Sequence, residues 1–284
     1  MFCSSHQITK VSLTIDEITE TANIIGKLYQ LEDMVPERTT SDIEYLASHC
    51  WPAKVIERYQ GWIIHWHDGV TWRANSVLPL GDLSEPLLED AIDYVINYYK
   101  SRDTPPAFKV TEESKPTELD ETLEEMGFLT RMITHVQTMS IIELTCLDPM
   151  VGVDLLRVTD ESIDSLFHQS KRDEFALEVR REIIHRIEGE KKIARVLIDG
   201  QIAGIGLGIV EEDMLGLFSV RTLPDYQHRG VGWSINCALA MWGEENGANT
   251  AFLQVEAENK PALTLYDKMG FKTKYTYWYR ILED

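Results

Sequence analysis

The sequence predicts an α/β or α+β protein built from two tandem domains of related topology. The first observation is an internal echo, because residues 119–128 and 262–271 both end in Met-Gly-Phe. The second is an amphipathic helix upstream of each copy, with apolar residues at helical spacing over residues 88–99 and 231–242. The third is the length of 284 residues, which accommodates two domains of ordinary size.

Alternating or continuous apolar runs bounded by turn residues predict the remaining elements in order. In the first half we predict a helix over residues 15–31 and strands over 61–67, 71–77, 108–111 and 132–138. In the second half we predict strands over residues 193–198, 202–210, 214–220, 253–256 and 275–280. Pro149 and Gly152 interrupt both periodicities, so residues 146–152 are the predicted linker.

The net charge narrows the classes of partner. The chain has 47 acidic and 27 basic residues and a formal charge of −20. Such a charge repels nucleic acid and anionic lipid, so we predict neither nucleic acid nor a membrane as a partner. The charge is uneven: residues 1–145 hold 24 acids and 11 bases, and residues 146–284 hold 23 acids and 16 bases. The second half is therefore the less hostile one to an anion.

Cysteine usage and hydropathy predict a soluble, cytoplasmic protein. The cysteines at positions 3, 50, 146 and 237 form no C-x-x-C pair, so the sequence encodes neither a zinc knuckle nor a disulfide framework. The N-terminus lacks a basic start followed by an apolar stretch. The longest run of low polarity, residues 202–210, is too short to cross a bilayer.

A glycine-containing loop joins the predicted strand over residues 214–220 to the helix that follows it. Its sequence over residues 227–232 is Gln-His-Arg-Gly-Val-Gly. Two glycines let consecutive backbone N–H groups converge on an anion, and the helix adds the positive end of its dipole. A pyrophosphate is the natural ligand of such a loop. The loop lacks the Gly-Lys-Ser/Thr ending of a P-loop, and a plain glycine turn that opens a helix remains the alternative.

A second motif follows, with Asn259, Tyr266 and Gly270 in the pattern N-x-x-A-x-x-L-Y-x-x-x-G-F. Together with the loop, which fits Q/R-x-x-G-x-G/A, it resembles the GCN5-related N-acetyltransferases (GNAT) over residues 154–280. Residues 73–77 also resemble the first half of tandem members of this family. The resemblance implies that each domain is a mixed, mostly antiparallel sheet flanked by helices. It implies transfer of an acetyl group from acetyl-CoA, a cosubstrate, to an amine by direct attack in a ternary complex.

The resemblance also assigns cofactor-binding residues by position. The strand contacts to the pantetheine arm fall on Val220 and Thr222, and a cofactor-contacting asparagine falls on Asn259. The pyrophosphate contacts fall on Gln227, His228, Arg229, Gly230, Val231 and Gly232. For Asn259 a second interpretation is equally sound, because asparagine is a favourable N-cap for the helix that follows.

Tyr266 matches the family's tyrosine that protonates the departing thiolate, a role that suits a phenol because it keeps its proton at neutral pH. The backbone N–H near Val220 would polarise the acetyl carbonyl. The general base departs from the family pattern, because Gln254 stands where some members have a glutamate. Phe218 and Gly216 stand at the alternative strand positions.

We predict Glu256 as the base, acting through water, because it lies beside the matched strand. A solvated surface acid is the competing interpretation of that residue. Other acids near the matched strands are Glu258, Glu211, Glu212 and Asp213. An amine of low pKa would need no strong base.

The first copy lacks the chemistry of the second. Leu123 stands at the place of Tyr266, and residues 79–86 carry a single glycine and two prolines where a cofactor loop would be. We therefore predict a degenerate GNAT-like domain at residues 1–145 and a catalytic, acetyl-CoA-binding domain at residues 150–284. The first domain is expected to wall the acceptor site. Candidate lining residues are Trp51, Trp62, Trp66, Trp72, Arg73 and Asn75, although tryptophans in the core are an equally simple explanation.

His65 and His67 share a strand face, but the sequence offers no third ligand near them, so we predict no metal. The acidic surface favours a cationic acceptor, either a small-molecule amine or a peptide amine. A hydroxyl or thiol acceptor would use the same machinery. The competing class is a non-catalytic CoA-binding sensor or partner-binding module, which the unusual residues Gln254 and Phe218 motivate.

Overall fold

Strands from both halves of the chain form one mixed sheet in a computed structural model that describes residues 38–84, 87–169 and 172–283. The helix predicted over residues 15–31 lies outside the described residues. The chain divides into two units, Met1–Thr39 and Thr40–Asp284, and every element below belongs to the second. Within the described residues no helix combines the length and the apolar character that a membrane span requires.

The helices are α1 Thr40–Cys50, α2 Leu88–Lys100, α3 Leu119–Glu125, α4 Ile141–Thr145, α5 Asp160–Leu166, α6 Glu174–Arg186, α7 Val231–Glu245 and α8 Lys260–Met269. The strands of the first half are β1 Val55–Tyr59, β2 Trp62–Trp66, β3 Val77–Pro79, β4 Ala107–Thr111 and β5 Leu129–Ser140. Those of the second half are β6 Asp154–Leu156, β7 Glu190–Ile198, β8 Gln201–Glu211, β9 Met214–Thr222, β10 Thr250–Glu256 and β11 Lys272–Ile281.

The sheet has eleven strands in the order β1-β2-β3-β4-β11-β5-β10-β9-β8-β7-β6. Its pairs are antiparallel except for β3 with β4 and β9 with β10. This architecture confirms the predicted fold class, a mixed and mostly antiparallel sheet flanked by helices.

The two halves exchange their last strands. β11, from the second half, lies between β4 and β5, while β5, from the first half, lies between β11 and β10. The two exchanged strands pair antiparallel along their length, from Thr138 opposite Lys272 to Leu129 opposite Ile281. The sequence did not predict this continuity. The boundaries at residues 1–145 and 150–284 fall in the segment between α4 and β6, and the division into two domains stays a prediction.

The echo is reproduced in local geometry. The Phe128 N–H donates to the Leu123 carbonyl at 2.9 Å, and the Phe271 N–H donates to the Tyr266 carbonyl at 3.0 Å. Both helices end at a left-handed glycine, with φ +87° in the first copy and +106° in the second. Leu123 and Tyr266 therefore occupy equivalent places, as the alignment of the two copies predicts.

One predicted strand is wrong. Residues 71–77 were predicted to be extended, but Trp72–Ala74 is a short 3₁₀ turn and the strand is Val77–Pro79. The cause is Asn75, whose Oδ1 accepts from the N–H groups of His67 at 2.7 Å and Gly69 at 3.0 Å. Its amide also donates to the Thr71 carbonyl at 2.7 Å. These local bonds satisfy the backbone in a turn and compete with a strand.

An ion pair holds the exchanged strand β11 against α3. Arg280 donates from Nε to Asp120 Oδ1 at 2.7 Å and from Nη2 to Asp120 Oδ2 at 3.0 Å, and Trp278 Nε1 donates to the same carboxylate at 2.8 Å. Burial raises the pKa of Asp120, but these donors outweigh it, so the pKa lies below its usual value. The ionised carboxylate is therefore bound more tightly in the folded protein than in the unfolded chain.

We expect Asp120→Asn to lower the free energy of unfolding by about 1 kcal/mol at neutral pH, since the pair is charge-assisted but partly exposed. Because the folded pKa is depressed, this stabilisation is complete above the unfolded pKa of about 4 and disappears as the pH falls through the folded value. Urea unfolding of both proteins at pH 7 and at successively lower pH measures the difference. A deficit that stays constant with pH contradicts this account of the pair.

Candidate active site

The sheet opens between β9 and β10. The two strands pair in parallel from Met214 opposite Thr250 to Leu217 opposite Leu253, and beyond that point the pairing ends although both strands continue. A β-bulge causes the divergence, because the register between β8 and β9 shifts beside Ser219, whose φ is +51°. Bulges bend a strand and re-aim its side chains, and they are frequent next to active sites. The unpaired edge of β9 is thus available to a ligand.

A cavity of about 520 Å³ lies at this opening, and a second cavity of about 270 Å³ adjoins it. Both cavities are lined by Thr71, Arg73, Arg172, Arg180, Ser219 and Val220. The larger one also reaches Gln254, Glu256, Asn259, Tyr266, Tyr277 and Tyr279. The smaller one reaches Trp51, Leu166, Phe167 and Arg221 instead. Residues from both halves of the chain therefore meet at one site.

Three glycines on β8 allow helix α7 to pack close to the sheet. Gly204, Gly206 and Gly208 alternate along the strand and so lie on one face. A Cβ at these positions would lie 2.3 Å from Val231 Cγ1, 2.8 Å from Ile235 Cγ2 and 2.9 Å from Leu239 Cδ2, respectively. Any larger residue would push the helix outward. The pattern Gly-x-Gly-x-Gly inside a strand was the signal that the sequence analysis missed.

The predicted cofactor loop has the geometry that an anion requires. A 3₁₀ turn, Pro224–Tyr226, leads to Gln227, His228 and Arg229, which are all exposed. Gly230 follows with φ +76°, and α7 then begins without a side-chain hydrogen bond capping its first turn. The first amides of Val231 and Gly232 therefore have no partner inside the helix and stay available, with the positive end of the dipole behind them. This arrangement fits a pyrophosphate.

Val220 and Thr222 lie on the part of β9 that does not pair with β10, between the opening and this helix terminus. Val220 lines both cavities. Thr222 lines neither cavity, but its Oγ1 lies 3.4 Å from the position that a Cβ at Gly232 would take. A ligand that runs from the helix terminus to the cavity would pass both residues.

Tyr266 lies on α8, lines the larger cavity and has only 7% of its surface exposed. Its ring contacts Phe271 edge-on with the centroids 5.7 Å apart, and no residue in the described ranges hydrogen-bonds to its hydroxyl. Burial raises its pKa to about 12. The phenol is therefore protonated at neutral pH and able to donate to a ligand in the cavity.

Asn259 caps the same helix. Its Oδ1 accepts from the Ala262 N–H at 3.3 Å, which confirms the capping interpretation. Asn259 also lines the larger cavity. A contact with the cofactor stays a prediction beside the capping role.

The five acids that the sequence offers as candidate bases lie in different places in the structure. Glu256 is exposed at the end of β10 and lines the larger cavity, whereas Glu258 is exposed and lines neither cavity. Of the remaining three acids, Glu211 is the last residue of β8, and Glu212 and Asp213 form the turn between β8 and β9. That turn lies at the opposite end of β9 from Val220. Glu256 is thus the acid that the structure places in the cavity.

Gln254 is held in place as a hydrogen-bond acceptor. Its Oε1 accepts from Arg73 Nε at 2.6 Å and from the Tyr277 hydroxyl at 3.3 Å. Its Nε2 is buried without a partner in the part of the chain that the structure describes. Of the two alternative base positions on β9, one is Gly216 and the other is Phe218, a buried ring that packs against Phe252 and lies 6.0 Å from the Arg73 guanidinium.

Only three of the six residues predicted from the first half line the cavities. Trp72 and Arg73 line the larger cavity, and Trp51 lines the smaller one. The prediction is wrong for the other three candidates, because their roles are structural. Trp62 and Asn75 are completely buried, and Trp66 Nε1 donates to Thr104 Oγ1 at 3.1 Å, outside both cavities.

Arg172, Arg180 and Arg221 are site residues that sequence reasoning missed. They come from three separate segments, so no local motif could reveal that they converge on Arg73. Burial, followed by the charge of Arg172, lowers the pKa of Arg180 to about 10 and also lowers the pKa of Arg221. The four guanidinium groups make this end of the site strongly positive.

His65 and His67 do not act as a pair. His67 instead approaches Asp68 and Glu182, and its Nε2 lies 3.2 Å from a Glu182 oxygen. The spacing of these three residues would allow a metal ion, a possibility the sequence analysis did not foresee. However, Lys54 and Arg186 already pair with the two carboxylates, at 3.2 and 3.7 Å. The cluster is accounted for as an ion-pair network.

Comparisons with known proteins match nearly all of the described chain. The family model described as Probable histone acetyltransferase Rv0428c C-terminal matches residues 40–280. The chain is 25% identical over 253 residues to the Uncharacterized N-acetyltransferase YobR of Bacillus subtilis (strain 168), covering 84% of this chain and 97% of that protein.

Two solved structures show the same fold. A GCN5-related N-acetyltransferase from Kribbella flavida superposes with a TM-score of 0.66 at 14% identity, covering 86% of this chain and 95% of that one. The tandem GNAT protein from the clavulanic acid biosynthesis pathway superposes with a TM-score of 0.52 at 13% identity, covering 94% and 97%.

Proposed function

The chain belongs to the family of the Rv0428c C-terminal domain and is an N-acetyltransferase of the GNAT superfamily, and from that premise we propose that it transfers an acetyl group from acetyl-CoA to a primary amine by direct attack in a ternary complex. The observation that carries this proposal is the opening between β9 and β10, with Tyr266 lining its cavity and the uncapped N-terminus of α7 beside its edge.

The residues fit acetyl-CoA as a cosubstrate. The amides of Gly230, Val231 and Gly232 would hold its pyrophosphate, since they begin an uncapped helix. The free edge of β9 at Val220 and Thr222 would pair with the amides of the pantetheine arm, as an added strand would. Gln227, His228 and Arg229 are exposed beside this helix terminus and would add donors and positive charge.

Within the ternary complex the amine nitrogen forms a bond to the acetyl carbonyl carbon as the bond from that carbon to sulfur breaks. The Val220 N–H would polarise the carbonyl oxygen, and the Tyr266 hydroxyl would give its proton to the leaving sulfur. Glu256 would accept the proton that the attacking nitrogen loses, through a water molecule. Most of the rate enhancement would come from holding the reactants together.

We propose that the first half, residues 1–145, is a degenerate GNAT-like domain that does not bind acetyl-CoA. Leu123 occupies the position equivalent to Tyr266 and has no hydroxyl that could donate a proton. The place equivalent to the cofactor strand is also closed, because the Lys115 N–H donates to the Pro79 carbonyl at 2.9 Å and the Trp62 indole donates to the Lys115 carbonyl at 2.8 Å. The catalytic part is then residues 150–284, in a protein that we expect in the cytoplasm.

Release of free thiol from acetyl-CoA in the presence of single amines tests this proposal. We expect turnover that depends on the amine, with an acetylated amine as the product by mass spectrometry. Alcohols and thiols of the same carbon skeletons should not substitute. Tight binding of acetyl-CoA by calorimetry, with no turnover on any amine, alcohol or thiol, would instead support the sensor alternative.

A further inference from the structure

Four arginine side chains converge at one end of the cavity system. Arg73 comes from the 3₁₀ turn after β2, Arg172 from the loop before α6, Arg180 from α6 and Arg221 from β9. All four line the smaller cavity, and the first three also line the larger one. This end contains none of Glu256, Asn259 or Tyr266, which line the larger cavity only. The arginine cluster therefore extends from the cavity that contains Tyr266 into the smaller cavity, which none of these three residues lines.

Within the described ranges the positive charges of this cluster have no carboxylate at ion-pair distance, although Asp173 and Glu256 act on Arg180 and Arg73 from farther away. Among the described residues none of the four guanidinium groups forms an ion pair with a carboxylate. Three of the four donate hydrogen bonds to neutral groups: Arg73 to the side chain of Gln254, and Arg180 and Arg221 to backbone carbonyls. Arg73, Arg180 and Arg221 are half-buried and Arg172 is exposed. Partly buried cations that are grouped without a carboxylate in contact are costly. Their persistence in a chain of charge −20 indicates an anionic ligand.

The nearby acids set a direction for that ligand. Asp173 follows Arg172 in sequence but lines neither cavity, and its side chain accepts from the Ala176 N–H at 2.7 Å as the cap of α6. Glu256 lines the larger cavity only. The acid Glu256 thus lies on the Tyr266 side of the site, whereas the smaller cavity is lined by all four arginines and by no acid of the described chain. A molecule with an ammonium group at one end and an anion at the other matches this polarity.

We propose that the acceptor is a small amino carboxylate, whose amine faces Val220, Glu256 and Tyr266 and whose carboxylate binds the cluster of Arg73, Arg172, Arg180 and Arg221. The proposal rests on the proposed amine acetylation and specifies its substrate class. Arginine binds carboxylates in a bidentate way, which fixes orientation as well as charge. The cluster argues against the cationic acceptor that the net charge predicts, because net charge describes the whole surface and the pocket has the opposite sign.

The test is a series of acceptors that differ only at the far end. The ω-amino acids from glycine to 6-aminohexanoate are compared with their primary amides and with diamines of equal length. In the longer members the amine pKa is insulated from the far end, so nucleophilicity is matched. At the best chain length we expect kcat/KM for the carboxylate to exceed that of the amide by about tenfold or more, as one charged hydrogen bond predicts. The diamine should be the poorest.

The arginine variants assign the effect to the cluster. In Arg180→Gln and Arg172→Gln we expect kcat/KM for the carboxylate to fall by about tenfold or more, while that for the amide stays within about twofold. Arg181→Gln is the matched control, since it neighbours Arg180 on α6 but is already paired with Asp164 and Glu178 at 2.7 and 2.8 Å. It should leave both acceptors unchanged.

Three results would overturn the proposal. One is an amide or diamine that is acetylated as well as the carboxylate. Another is an equal loss on carboxylate and amide in the arginine variants, with a raised KM for acetyl-CoA, which would assign the arginines to the cofactor. The third is a preference for a carboxylate on the acyl chain, shown by succinyl-CoA outperforming acetyl-CoA on the amide acceptors.

Failure of the proposed function itself is recognisable separately. If no amine is acetylated, calorimetric binding of 6-aminohexanoate and of its amide, in the presence of CoA, still measures the anion site. Preferential binding of the carboxylate that is lost in Arg180→Gln supports the arginine site without catalysis. Equal binding of the two molecules contradicts it.

Discussion

Tyr266→Phe is expected to lower kcat for acetyl transfer by about a hundredfold, the lower end of what a positioned general acid contributes. The substitution removes one hydroxyl and keeps the ring, which contacts Phe271 with centroids 5.7 Å apart. Since the hydroxyl has no hydrogen-bond partner in the described residues, its loss breaks no structural contact. The deficit corresponds to about 2.7 kcal/mol in the transition state.

Steady-state thiol release, with both substrates varied, measures this effect. We expect kcat to fall while KM for acetyl-CoA stays nearly constant, because an interaction made only in the transition state does not contribute to ground-state binding. Tyr98→Phe is the matched control. Tyr98 has the same exposed fraction as Tyr266, 7%, and its buried hydroxyl also lacks a partner, but it lines neither cavity.

The pH profile adds an independent check. Burial raises the pKa of Tyr266 to about 12, so the phenol keeps its proton throughout the range in which the enzyme is assayed. Below about pH 10 we therefore expect no fall in the wild-type kcat from ionisation of Tyr266. The pH profiles of the wild type and of Tyr266→Phe should have the same shape in this range. If kcat is unaltered in Tyr266→Phe, or if only KM for acetyl-CoA rises, this tyrosine merely packs the site.

The proposed cofactor side of this site could be located from the sequence because its residues are close together along the chain. The loop at residues 227–232, Asn259 and Tyr266 lie within forty positions of each other, so spacing along one strand, one loop and two helices determines their geometry. The internal repeat likewise predicted that Leu123 occupies the position equivalent to Tyr266. Asn259 and Tyr266 line the larger cavity and residues 227–232 lie at the start of α7, while their binding of a cofactor stays a prediction.

The proposed acceptor side could not be predicted, because its residues are far apart along the chain. It depends on strand exchange, which brings Tyr277 and Tyr279 on β11 beside Arg73 from the first half. Strand order is decided by long-range pairing, which local periodicity does not encode. The arginines are equally non-local. The net charge of the whole chain predicted a cationic acceptor. A sum over all residues does not reveal that four arginines make one pocket positive.

Gly230→Asp is expected to weaken acetyl-CoA binding by about a hundredfold, or 2.7 kcal/mol. Two effects add. Gly230 has φ +76°, and a Cβ there would lie 2.7 Å from the Met150 side chain, so any side chain disturbs the start of α7. The carboxylate also places a negative charge at the helix terminus where the pyrophosphate would bind, and reverses the favourable dipole interaction.

Gly230→Asn separates the two effects, because asparagine has the same shape and a similar tolerance of left-handed backbone without the charge. We expect it to cost about tenfold in affinity by calorimetry, so the charge accounts for the remaining tenfold.

Gly200 provides the matched control. It has the same φ of +76°, lies in the turn between β7 and β8, and a Cβ there would meet nothing within 4 Å. Gly200→Asp and Gly200→Asn should therefore bind acetyl-CoA like the wild type. If Asp and Asn at position 230 have equal effects, the loop does not hold the pyrophosphate, because a neighbouring phosphate would distinguish a charge from an amide.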